Sequence, residues 1–94
     1  MVIVVYNEAL DMEVMEVLER CGSKNYTKII GAFGKGETSG IHLGSDIWPG
    51  RNNILSIVSD EKQARQIISC VKELRRTLGL EGVKAFILPV EEMT

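Results

Sequence analysis

The sequence predicts a two-layer α+β sandwich, one domain over residues 1–94, with elements in the order βαββαβ. Three observations carry this prediction. Four short segments are rich in Val, Ile, Leu and Phe, two longer stretches repeat apolar residues at helical spacing, and each helical stretch lies between two strand-like ones. The chain has 94 residues, 45% hydrophobic and 26% charged, as expected for an ordinary folded domain. A formal net charge of −2 excludes a nucleic-acid binder driven by bulk basic charge. The longest clean apolar run, Val2 to Val5, is too short to cross a bilayer and lacks the flanks of a secretion signal.

The first strand is Val2-Ile3-Val4-Val5-Tyr6, β-branched and continuous. Asn7 is placed to cap the first helix, with Glu8, Asp11 and Glu13 in its early turns, where the helix dipole favours acids. Leu10, Val14, Val17, Leu18 and Cys21 form the apolar stripe, Glu13, Glu16 and Glu19 are expected in water, and Gly22 stops the helix. Tyr26 to Phe33 is the second strand. Periodicity then vanishes from Gly34 to Arg51, a stretch holding five of the nine glycines, which predicts a long flexible loop over 35–51. Asn53 to Val58 is the third strand. Asp60, with Gln63 three residues on, has the pattern of a capping box, and Ala64, Ile67, Ile68, Val71, Leu74 and Leu78 line the second helix up to Gly79. Val83 to Val90 is the fourth strand, with Pro89 marking an edge or an end.

Right-handed crossovers put both helices on one face of an antiparallel sheet. The first and third strands are the most apolar and therefore central. Lys28 in the second and Lys84 with Pro89 in the fourth mark protected edges. The result is the ferredoxin-like arrangement, strand order 4-1-3-2. The strands are apolar on both sides, yet the helices cover only one. The other face predicts a closed homo-oligomer packed sheet to sheet.

Few residues can carry chemistry. Gly34-Lys35-Gly36 can turn backbone N–H groups toward an anion, although a plain loop has the same composition. Lys84 is either a phosphate-binding point charge or an edge-strand gatekeeper. Arg51 follows Pro49-Gly50 and is placed to close on an anion or to stand in a solvated turn. His42, the one histidine, has only Asp46 near it, a weak metal candidate unless symmetry multiplies it. Trp48 is suited to stacking on a base or to packing the loop. Cys21 and Cys70 make neither a disulfide scaffold nor a CxxC motif and are read as buried, reduced thiols of a cytoplasmic protein. One histidine in a loop cannot build a Ser/His/Asp or Cys/His catalytic set, so no catalytic residue is assigned.

Three segments carry a family resemblance. Phe86-Ile87-Leu88-Pro89-Val90-Glu91-Glu92 resembles the last core strand of the nitrogen-regulatory PII and PII-like signalling proteins. Ala32-Phe33-Gly34 is similar to the Gly-Phe-Gly at the base of that family's T-loop, and Asp46-Ile47-Trp48-Pro49 followed by Ile57-Val58-Ser59-Asp60-Glu61 resembles its loop exit and second-helix start. The resemblance implies a homotrimer whose inter-subunit clefts bind an adenine nucleotide (ATP, ADP or AMP), with no further cofactor required. It also implies that the loop reports occupancy to a target protein, a membrane transporter or an enzyme, in the control of nitrogen use. By position it implies that Lys84 meets a phosphate, with Gly34, Lys35, Gly36 and Arg51 as the further phosphate candidates read from the residues themselves. The chain departs from the family pattern at Ala32, at Gly36 where a ligand-contacting Gln is usual, and in a shortened loop without Tyr, so uridylylation has no acceptor there. It ends at Thr94, before the family's C-terminal arginines.

The function expected is therefore a non-enzymatic regulatory trimer. The alternatives are a metal-binding trimer of copper-tolerance type and an acylphosphatase-like hydrolase using Arg51, Asn52 and Asn53. An RNA-recognition module shares the element order but stacks bases on strand aromatics, which Asn53 to Val58 lacks.

Overall fold

The structure, a computed structural model, describes residues 1–34, 50–79 and 82–94. Its elements are β1 (Val2–Asn7), a 3-10 turn (Glu8–Leu10), α1 (Asp11–Arg20), β2 (Thr27–Phe33), β3 (Arg51–Ile57), α2 (Glu61–Leu78) and β4 (Val83–Ile87). The four strands form one antiparallel sheet in the order β2-β3-β1-β4, as the sequence predicts, with β1 and β3 central.

The helix ends follow their sequence signals. The Asn7 side chain accepts the Ala9 N–H at 2.9 Å, and the 3-10 turn then leads into α1. Gly22, at φ +84°, adopts the left-handed conformation that closes α1, with Ser23 N–H donating to Leu18 O at 3.0 Å. Asp60 Oδ1 accepts the Gln63 N–H at 2.7 Å, the first half of the expected capping box. The Gln63 side chain departs from that motif. Its amide donates to the Cys21 carbonyl at 3.3 Å and so ties the start of α2 to the end of α1.

One face of the sheet carries the core. Val2, Val4 and Tyr6 of β1, Leu55 and Ile57 of β3 and Val83 of β4 are buried against Val14 and Leu18 of α1 and Ala64, Ile67, Val71 and Leu74 of α2. The other face is bare. Ile29 is 56% exposed and Phe86 49%, and beyond the bulge in β2 Ile30 is 73% exposed. The bulge has a local cause: Gly31, at φ +74°, supplies the backbone turn that shifts the register between Ile29 and Ala32.

Lys28 stands on an edge strand, as expected, and on its helix side, where its ammonium meets Asp11 Oδ1 at 2.8 Å. Three expectations are corrected. Glu13 is half-buried rather than in water, and its Oε2 has no hydrogen-bond partner among the described residues. Strand β4 ends at Ile87, because Pro89 has no N–H to extend the pairing. Cys21 and Cys70 are not free thiols but a disulfide pair, Cα atoms 6.6 Å apart, because the last turn of α1 packs beside α2. In the chain-entropy view, a cross-link spanning 49 residues stabilises the fold by about 4 kcal/mol.

Candidate functional site

Two of the residues singled out from sequence, Gly34 and Arg51, sit at one end of the sheet, where β2 ends and β3 begins. Gly34 N–H donates to Gly50 O at 2.9 Å. A Cβ on Gly34 would lie 2.8 Å from the Asn52 side-chain nitrogen, so a larger residue there would displace the Asn52 amide. On the far side of the same end, Asn7 N–H donates to Gly82 O at 2.7 Å. Gly82, at φ +96°, has Leu10 packed where a Cβ would stand, which fixes the turn into β4 and the start of the strand that carries Lys84.

Register decides which candidates meet. Lys84 pairs with Val5, Val5 with Ile54, and Ile54 with Ile29, one row across the whole sheet. Lys84 is therefore at the β4 edge, roughly 14 Å from the β2 edge at three strand spacings. Strand alternation puts it on the bare face beside Phe86, since its neighbour Val83 is buried in the core. Gly34 follows β2 at the opposite edge, and Arg51 opens β3. Arg51 has the parity of Asn53 and Leu55, on the helix side, and its Nε lies 3.5 Å from Glu8 Oε1. One chain thus keeps Lys84 apart from Gly34 and Arg51. Lys35, Gly36, His42 and Trp48 lie outside the described residues. Among the described residues no group of three or more His, Cys, Asp or Glu is arranged to hold a metal.

The same alternation separates the trio proposed for a phosphatase. Asn52 points to the opposite face from Arg51 and Asn53, and Asn53 is buried, its amide donating to Asp11 Oδ1 at 3.3 Å. These three side chains do not share a cradle.

Sequence reasoning missed a polar cluster beneath the 3-10 turn. Asp11 Oδ1 accepts the Tyr6 hydroxyl at 2.5 Å, the Lys28 ammonium at 2.8 Å and the Asn53 amide. The Lys28 and Tyr6 hydrogen bonds hold the Asp11 carboxyl below its usual pKa. Burial, reinforced by Asp11, keeps the Tyr6 phenol protonated far above its ordinary range. One signal was available: Asn53 shares the core parity of Leu55 and Ile57 and needed a polar partner. Because the folded carboxyl titrates lower than the unfolded one, its stabilisation is present above the ordinary carboxylate pKa of about 4 and is lost as pH falls through the folded value. Melting temperature is expected to fall more steeply between about pH 5 and pH 3 in the native protein than in Asp11→Asn; parallel curves would contradict the assignment.

The sequence profile of the nitrogen regulatory protein P-II family matches residues 1–94, the whole chain. The chain belongs to the P-II family. Solved structures agree on the fold. A PII-like signalling protein from Thermus thermophilus superposes with a TM-score of 0.63 at 26% identity, over 90% of this chain and 77% of that one. CPII from Thiomonas intermedia, bound to ADP, AMP and acetate, gives 0.66 at 15% identity, over 90% and 78%. Its apo form, described as a nitrogen regulatory PII-like protein, gives 0.65 at 11%, over 90% and 80%. A search of curated proteins found no match. The P-II assignment accounts for the element order. Among the described residues no helix of this P-II protein is long and apolar enough to cross a membrane.

Proposed function

We propose that this P-II family protein is a non-enzymatic, cytoplasmic regulator. It assembles as a homotrimer, binds an adenine nucleotide between neighbouring subunits and signals through the segment 35–51 to a target protein, a transporter or enzyme of nitrogen use. One observation carries the reading. Two of the phosphate-binding candidates, Lys84 and Gly34, stand at opposite edges of a sheet whose uncovered face is apolar. A second copy packed on that face covers the apolar surface and brings the Lys84 edge of one subunit toward the Gly34 end of the next. Lys84 then meets a phosphate as a point charge, and Lys35 and Gly36, next to the Gly34 N–H that closes on Gly50 O, supply backbone N–H groups and a second cation. Arg51 takes part only after leaving Glu8, so it answers to occupancy more readily than it creates the site. The nucleotide bound by CPII has the ligand chemistry that such a cleft suits.

Titration with ADP, AMP and ATP under thermal denaturation tests the reading. A ligand at a hundredfold excess over its Kd stabilises the folded state by about 2.7 kcal/mol, which raises the melting temperature by several degrees. Lys84→Ala is expected to remove most of that rise. No response to any of the three at millimolar concentration would contradict nucleotide binding.

A further inference from the structure

We propose that the Cys21–Cys70 pair is a thiol–disulfide exchange site that admits a small thiol carrying carboxylates. The pair lies where the end of α1 meets α2, in an open groove of about 650 Å³ lined also by Arg20, Lys62, Arg65, Gln66 and Ser69. Both cysteines line this open groove and neither is fully buried, so a small solute approaches the pair without unfolding. Every charged side chain lining the groove is a cation. Among the described residues the acid paired with them is Glu61, 3.7 Å from Arg65 Nη2, with both side chains largely in solvent and Glu61 outside the groove lining. An incoming carboxylate therefore finds three cations facing it.

Reduction leaves the helices in place, because α1 and α2 also pack through the core and through the Gln63 amide on the Cys21 carbonyl. The two sulfurs then stay close enough to re-form the bond. The thiolate of the small thiol attacks one protein sulfur. The S–S electron pair leaves on the other sulfur as a thiolate, giving a mixed disulfide. A second small thiolate attacks that mixed disulfide, forms the small-molecule disulfide and releases the second protein thiolate. The two protein thiolates take up the two protons given up by the attacking thiols, so the protein gains two electrons and two small thiols become one disulfide. The reverse reaction, with the small disulfide as oxidant, restores the cross-link. Negative charge on the departing sulfur develops beside Arg20, Lys62 and Arg65, which favours the step. The groove lies on the helix layer, away from the bare sheet face, and the exchange does not depend on assembly or on nucleotide binding.

The test compares the oxidised full-length protein against glutathione, 2-mercaptoethanol and cysteamine, which are anionic, neutral and cationic thiols. Free thiols are trapped with iodoacetamide and counted by intact mass. Per unit of thiolate, glutathione is expected to react about tenfold faster than cysteamine. High salt and the charge reversals Lys62→Glu and Arg65→Glu, both at exposed positions, are expected to erase that preference. Equal or inverted rates in the native protein, or a preference untouched by salt, would overturn the proposal. So would alkylation of both cysteines after equilibration with excess glutathione disulfide, since no cross-link would then form. The thiol and salt comparisons use the native protein and decide the matter even if a charge-reversed variant fails to fold.

Discussion

Replacing Ile29 and Phe86 together by aspartate is expected to yield folded single chains that no longer bind nucleotide. Both side chains lie on the uncovered sheet face, 56% and 49% exposed, one on each edge strand, so the core against the helices is untouched. Burying one such side chain stabilises an assembly by about 1.5–3 kcal/mol, and a buried aspartate without a partner adds a desolvation penalty of similar size or larger. Summed over the contacts of a closed ring, the change exceeds what a subunit interface supplies in excess of its ordering costs. Circular dichroism is expected to be unchanged while light scattering reports a drop in mass and the thermal response to ADP disappears. A variant that keeps both its mass and its nucleotide response would show that this face does not join the copies.

The second expectation concerns how the site is divided. Lys84→Ala and Lys35→Ala are each expected to weaken ADP binding severely, because in the proposed cleft the two cations come from neighbouring subunits. Mixing the two variants and letting subunits exchange is expected to restore binding. Each mixed trimer regains one cleft in which an intact Lys84 faces an intact Lys35 from a different chain. Isothermal titration is expected to show a fraction of sites with native affinity in the mixture and none in either variant alone. If both residues served one chain's own site, mixing would restore nothing. The separation of Lys84 from the β2 edge by the full width of the sheet predicts recovery.

The fold was legible because local signals and global pattern agree here. The run Val2 to Val5, the Asp60 cap and the glycine stops at Gly22 and Gly79 each appear in the structure where the sequence places them. The uncovered face was legible for the same reason, since strands apolar on both sides cannot be satisfied by helices on one. What stayed hidden depended on parity and on distance along the chain. Lys28 marks its edge strand in the sequence, but only its register with Leu55 shows that it faces the helices and Asp11. Cys21 directly follows α1 and Cys70 lies in α2, and only the packing of α1 on α2 brings them together. The site was half legible. The glycines at 34 and 50 mark the loop base, but nothing in the sequence tells that Arg51 turns to Glu8 while Lys84 stands on the other face at the far edge.

Sedimentation velocity on the native protein at micromolar concentration tests the shared apolar face most directly. The account predicts one species with about three times the 10.4 kDa mass of the chain. A single boundary at 10.4 kDa, stable to rising concentration, would mean that the sheet face meets water and that no cleft between copies exists.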